Sequence, residues 1–87
     1  MSMKIYYLSS FERLYKKLPK NVKEEAKAKE KLFRQNPFDP KLGTHKLHGP
    51  LSDYWAFWVN NRDRVIFEFG DKNEIWFYKI GDHSIYE

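Results

Sequence analysis

His45, His48 and His83 are the side chains in this sequence whose ordinary pKa lies near enough to neutrality to give or take a proton. Lys79 precedes His83 by four residues, and Arg62 and Arg64 sit where a polar stretch gives way to an apolar run. Cations within a few ångströms of a histidine form a site for a charged phosphate and its transition state. By residue type alone, His83 also reads as a surface histidine near the end of the chain, and arginines beside a turn are commonly solvated. His45 and His48, spaced three apart in "THKLH", offer two ligands to a metal, but no metal-binding pattern is completed around them. No phosphate-cradling glycine loop, nucleophile elbow or dinucleotide fingerprint occurs. No pair of carboxylates is recognisable for glycosidic chemistry.

The elements that must position these groups follow from the apolar pattern. "KIYYL", Lys4 to Leu8, is β-branched and aromatic and predicts a short strand. Ser9 with Glu12 three residues on predicts a capping box. Phe11, Leu14, Tyr15 and Leu18 then recur at helical spacing until Pro19 stops the helix. A second helix is predicted from about Asn21, with Val22, Ala26, Leu32 and Phe33 as a narrow apolar stripe. Glu25 and Lys29 pair at i,i+4 on its polar side, and Asn36-Pro37 ends it. The lysines from Lys16 to Lys31 read as a solvated helix face that can also meet phosphates. Residues 37–53 hold three of the four prolines and two of the four glycines, a long loop of the kind that is often functional.

Three strand-like runs follow, "DYWAFWVN", "RVIFEF" and "EIWFYKI", joined by "NNRD" and "GDKN", which are short enough for hairpins. The expected class is α+β, one domain over residues 1–87 in the order β-α-α-β-β-β, with two N-terminal helices packed on an antiparallel sheet. In a meander of the last three strands, Arg64 opens the middle strand beside the last one. These strands do not alternate cleanly: Ile75, Phe77 and Lys79 share one parity, Trp76, Tyr78 and Ile80 the other. A sheet with helices on one face is normally polar on the other. Here the second face is aromatic, so it is either covered or stacks on a ligand. Tyr54, Trp55, Trp58, Trp76 and Tyr78 are mostly core residues by type, and one or two on the open face would suit base stacking.

Composition narrows the class. With 18% aromatic residues, gathered after residue 54, the second half is not a disordered segment. A net charge of +4 favours an acidic partner, nucleic acid or acidic protein. The absence of cysteine rules out disulfides and thiolate metal sites and fits a reducing cytosol. Apolar runs are far shorter than the ~20 residues needed to span a bilayer. "MSMKIYYLSS" has too short an apolar segment for a secretory signal, so a cytoplasmic protein away from membranes is expected.

The stretch from "HKLHG" through "RVIFEF" to "IGDHSIY" resembles the RelE/ParE superfamily of toxins, and the β-α-α order and "NPF" extend the resemblance over nearly the whole chain. The ordered combination of L-x-G, R-V-I-F and G-x-H-x-x-Y carries it. A histidine after the last strand, with a basic residue four positions before it, looks more like the YafQ, YoeB and RelE endoribonucleases than ParE, the gyrase poison. The resemblance puts the family's terminal histidine on His83, the histidine before the L-x-G turn on His45, the basic residue of the last strand on Lys79 and the R-V-I arginine on Arg64. YafQ itself lacks that arginine and has a mid-strand histidine where this chain has Trp58, so the sequence mixes subfamily features. The acidic turn residue of YafQ falls near Arg62 or Asp63.

What the resemblance implies is cleavage of mRNA, usually on the ribosome, without metal or cofactor. The 2′-hydroxyl attacks the adjacent phosphate and a 5′-hydroxyl leaves. His83 and His45 would transfer protons, Lys79 and Arg64 would stabilise the pentavalent phosphate, and His48, Arg62 and Tyr86 would contact RNA. It also implies a cognate antitoxin with an acidic, partly helical tail, and a toxin–antitoxin hetero-oligomer that binds operator DNA through the antitoxin. A ParE-like gyrase inhibitor without catalysis and an inactive protein-binding relative are the alternatives.

Overall fold

The computed structural model describes residues 3–86. Strand β1 (Lys4–Tyr7) leads into helices α1 (Ser9–Lys16) and α2 (Lys20–Gln35). Strands β2 (His45–Lys46), β3 (Trp55–Trp58), β4 (Arg64–Phe69) and β5 (Glu74–Gly81) follow, and the chain ends in a 3₁₀ turn, His83–Tyr86. The five strands form one sheet in the order β1-β5-β4-β3-β2. The α+β class and the β-α-α-β-β-β order stand. Two features differ from expectation. β1 pairs with β5 in parallel, Lys4 opposite Glu74 to Tyr7 opposite Phe77, so the sheet is mixed. The long loop also contributes β2, which pairs His45 with Ala56 and Lys46 with Trp55.

The start of α1 is held by the sheet rather than by a capping box. Leu8, extended at φ −68° and ψ 158°, occupies the cap position, which leaves Ser9 already inside the helix. The Leu8 N–H donates to Phe77 O (3.0 Å), and the Ser10 hydroxyl donates to Tyr78 O (2.6 Å). Pro19 both ends α1 and caps α2 in an extended conformation. No helix of the described residues is long and apolar enough to cross a membrane.

The core lies between the helices and one face of the sheet. Phe33 of α2 is fully buried and meets Phe57 and Phe67 with ring centroids 5.0 Å apart, and Phe77 at 5.7 Å. Burying each such ring stabilises the fold by about 1.5–3 kcal/mol.

The second face is largely covered by the chain itself. Ala56 and Ile66 are fully buried there, beneath Leu47 of the loop and Ile85 of the C-terminal turn. Tyr54 stacks on Tyr78 (4.9 Å) and Tyr6 on Trp76 (4.2 Å). A bulge in β5 explains the broken alternation. Ile66 faces Lys79 but Phe67 faces Phe77, so Tyr78 is an extra residue. The shift in phase turns Lys79 to the second face and sends Ile80, 1% exposed, into the helix-side core.

Candidate active site

The site is built where β4 begins and β5 ends. The β3–β4 turn is organised by Asn60. Its side-chain oxygen accepts from the backbone N–H of Arg62 (2.8 Å) and Asp63 (2.6 Å). Its amide nitrogen donates to Glu25 (2.8 Å) and to the buried Asp63 carboxylate (3.0 Å). An asparagine side chain bonding its own backbone two residues on is a common device for fixing a turn. The turn in turn fixes Arg64. Nη1 donates to Asn60 O (2.7 Å) and Asp63 O (3.1 Å), and Nη2 reaches Asn61 O (3.4 Å). The guanidinium lies 5.8 Å from the Trp58 ring centroid. Among the described residues Arg64 has no carboxylate partner, so its charge is oriented by neutral carbonyls without being neutralised.

Across from Arg64 in the ladder is Gly81, where β5 ends. Gly81 has φ +153°, and a Cβ there would stand 2.9 Å from Ile85 Cγ2. The chain turns there into His83–Tyr86. Asp82 pins that turn by accepting from the Ser84 N–H (3.0 Å) and hydroxyl (2.8 Å). These bonds hold its carboxyl below the usual carboxylate range, with smaller help from Arg62 and His83. The result is a cleft of about 560 Å³ lined by Asn61, Arg62, Arg64, His83, Ser84 and Tyr86. The His83 and Tyr86 rings are 6.1 Å apart. Burial raises the Tyr86 hydroxyl above the ordinary tyrosine value, against the opposing pull of the Arg64 charge.

Four of the seven residues singled out in the sequence, His83, Arg64, Arg62 and Tyr86, therefore share one cleft. Lys79 and His45 lie outside its lining, in the next cross-strand row on the second face: His45, Ala56, Ile66, Lys79. At about 4.8 Å between strands, the His45 and Lys79 backbones stand roughly 14 Å apart, with Ala56 and Ile66 as the floor between them. The exposed His45 ring holds Nδ1 2.9 Å from Gly43 O, and Lys79 Nζ sits 5.2 Å from the Tyr78 ring centroid. His48 precedes the 3₁₀ turn Gly49–Leu51 and lies outside the cleft. Among the described residues no three His, Cys, Asp or Glu side chains gather as a metal-ligand set. Sequence reasoning missed Asn60, whose role comes from hydrogen bonds that leave no periodic trace.

No family model and no curated relative matches the sequence. Solved structures do. YafQ from E. coli strain BL21(DE3) superposes with a TM-score of 0.79 at 22% identity, over 97% of each chain. The E. coli DinJ–YafQ toxin–antitoxin complex gives 0.77 at 21%, covering 98% of this chain and 97% of that one. YoeB from Staphylococcus aureus, solved as a dimer, gives 0.75 at 19%, covering 93% and 97%. This chain therefore has the fold of the RelE/ParE-type toxins.

Proposed function

We propose that this protein is the toxin of a toxin–antitoxin pair and an endoribonuclease that cleaves mRNA on the ribosome. The observation that carries this reading is an arginine held by three backbone carbonyls, with no carboxylate against it, opening on the same cleft as a histidine. Attack of an RNA 2′-hydroxyl on the adjacent phosphorus forms one P–O bond and breaks the bond to the 5′-oxygen, leaving a cyclic phosphate and a 5′-hydroxyl. One group must take the 2′ proton and another must return one to the 5′-oxygen. His83 serves one of these steps. His45, across the Ala56–Ile66 floor, serves the other when RNA spans the row. Arg64 stabilises the charge that grows on the phosphate, Lys79 supports it from the neighbouring row, and Arg62, Tyr86 and His48 contact flanking RNA. No metal or cofactor is needed for these steps.

The antitoxin would dock where apolar surface remains open. The second face of the sheet is mostly covered, which leaves a groove of about 380 Å³ between α1 and α2, with Phe11, Tyr15 and Ala26 in its lining and both lysines (Lys16, Lys27) and glutamates (Glu12, Glu30) around it. A tail that folds on binding suits such a groove. Purification from the native host without any small acidic companion would remove this partner from the reading.

His83→Ala and His83→Gln, expressed alone, should abolish growth arrest and slow mRNA cleavage on ribosomes by about 10²–10⁴-fold, the usual share of a general acid or base. Full activity in both variants sinks the assignment. Gyrase inhibition in a supercoiling assay, with mRNA left intact, favours a ParE-like poison instead. Harmless expression without RNA cleavage marks an inactive binding relative.

A further inference from the structure

Arg64 lines two cavities, and His83 takes no part in the lining of the second. That pocket, about 310 Å³, is lined by Lys29, Lys41, Trp58, Asn60, Asn61 and Arg64. Its prominent member is Trp58, which is 43% exposed. The other two tryptophans are packed against aromatic neighbours: Trp55 against Phe69 (5.4 Å) and Trp76 against Tyr6 (4.2 Å). Trp58 has no aromatic partner among the described residues, yet its indole is closely positioned. Gly43 ends the 3₁₀ turn Pro40–Leu42 at φ +57°, and a Cβ at that position would overlap the six-membered ring of the indole. The Gly43 backbone therefore packs against the ring, and the Arg64 guanidinium lies over it at 5.8 Å from the centroid, which leaves the remaining exposed part of the indole for a ligand.

Charge is placed around the indole with equal care. Lys29 reaches over from α2 and donates to Val59 O (3.1 Å), which anchors its ammonium beside the β3–β4 turn. Lys41 stands on the 3₁₀ turn whose backbone is held by Asp39 (2.9 Å to the Lys41 N–H). An exposed flat ring flanked by cations, of which Lys29 and Arg64 are held by backbone carbonyls, suits a nucleobase with a phosphate on each side, because base–aromatic stacking needs only a π-face. Asn61 adds an amide that both donates and accepts, as a base edge requires.

We propose that Trp58 is the stacking platform of a nucleobase subsite for single-stranded RNA, adjoining the phosphate held by Arg64. This inference rests on the ribonuclease reading and adds to it the position of a neighbouring base. Arg64 is the joint between the two cavities. It holds the phosphate at which cleavage occurs, and the base to one side of that phosphate lies on Trp58, with Lys29 and Lys41 on the flanking backbone.

The test uses the full chain and two hexamers that cannot be cleaved: 2′-O-methyl oligoadenylate, and the same backbone without bases. Affinities are measured by calorimetry at one fixed salt concentration. Trp58→Ala should weaken adenylate binding by about 5- to 150-fold, the range of one base–aromatic stack. It should leave binding of the abasic hexamer unchanged, and Trp58→Phe should keep most of the adenylate affinity. Unchanged adenylate binding by Trp58→Ala, or an equal loss on both hexamers, overturns the subsite. Failure of the wild type to bind adenylate while it still cleaves mRNA overturns the subsite alone. Absence of both binding and cleavage overturns the ribonuclease reading with it.

Discussion

On the proposed ribonuclease reading, arginine is not exchangeable at position 64. The planar fork bonds Asn60 O and Asp63 O from one nitrogen while a second nitrogen extends to Asn61 O. A lysine brings the same charge as a single flexible point and cannot satisfy that arrangement while facing a phosphate. Arg64→Lys should therefore slow cleavage by about 10²–10³-fold, the usual cost of losing one preorganised donor. Single-turnover cleavage on programmed ribosomes measures it, and a rate within threefold of wild type would show that charge alone suffices. Arg62, with 73% of its side chain exposed, stands 4.0 Å from the Asp63 carboxylate and has no comparable harness. By residue type both arginines are cations beside a turn, and only the resemblance and the expected meander set Arg64 at the phosphate and Arg62 among the flanking contacts. What separates them is backbone geometry. Trp58 is one of five aromatics the sequence offers for stacking, and it could not be told from the others for a related reason. Tyr54, Trp55, Phe57 and Trp58 are all large aromatics within five positions, and no periodicity shows which one is left uncovered.

Local signals made the elements legible, and their failures have physical causes. The two hairpins were readable because "NNRD" and "GDKN" are turn chemistry lying between apolar runs. The parallel pairing of β1 with β5 joins residues seventy positions apart, and nothing near either strand records it. β2, two residues long, is too short for any pattern. The bulge at Tyr78 was visible only as a puzzle of parity, with Lys79 on the side of Phe77, and a single extra residue resolves it. The C-terminal turn was better marked. Gly81 at φ +153° lets β5 swing into the segment that carries His83, and Ile85, 6% exposed, anchors that segment over the sheet. Gly81→Ala places a Cβ against Ile85 in a backbone conformation that L-residues rarely adopt. The variant should lose about 1–3 kcal/mol of stability, with Tm falling roughly 4–8 °C per kcal/mol. Cleavage should fall further than stability does, because the turn that moves carries His83. Thermal melts paired with cleavage rates check this, and an unchanged Tm with full activity would show that the turn tolerates the side chain.

At the scale of the whole molecule, a net charge of +4 is too small to bind RNA by a uniform field, so the positions of the cations must decide. The His83 cleft, the Lys79 row and the Trp58 pocket all lie towards the start of β4 and the end of β5, where Arg64 and Lys79 stand one row apart on the second face and Arg62 lies in the turn before β4. Lys72 sits at the other end of the same hairpin, in the turn between β4 and β5. If RNA follows the site end, binding of a single strand displaces counterions only from the phosphates that meet these cations. The logarithm of affinity then falls with the logarithm of salt by about 0.7 per contact. Lys79→Gln should make that slope shallower by about 0.7, whereas Lys72→Gln should leave it unchanged. Equal changes in the two variants would mean that the hairpin is sensed as diffuse charge and that no defined track exists. A change for Lys79 alone would place the RNA backbone across the row that joins Lys79 to His45. In that geometry the strand runs from Lys79, one row from the His83 cleft, towards His45, whose backbone stands roughly 14 Å from that of Lys79.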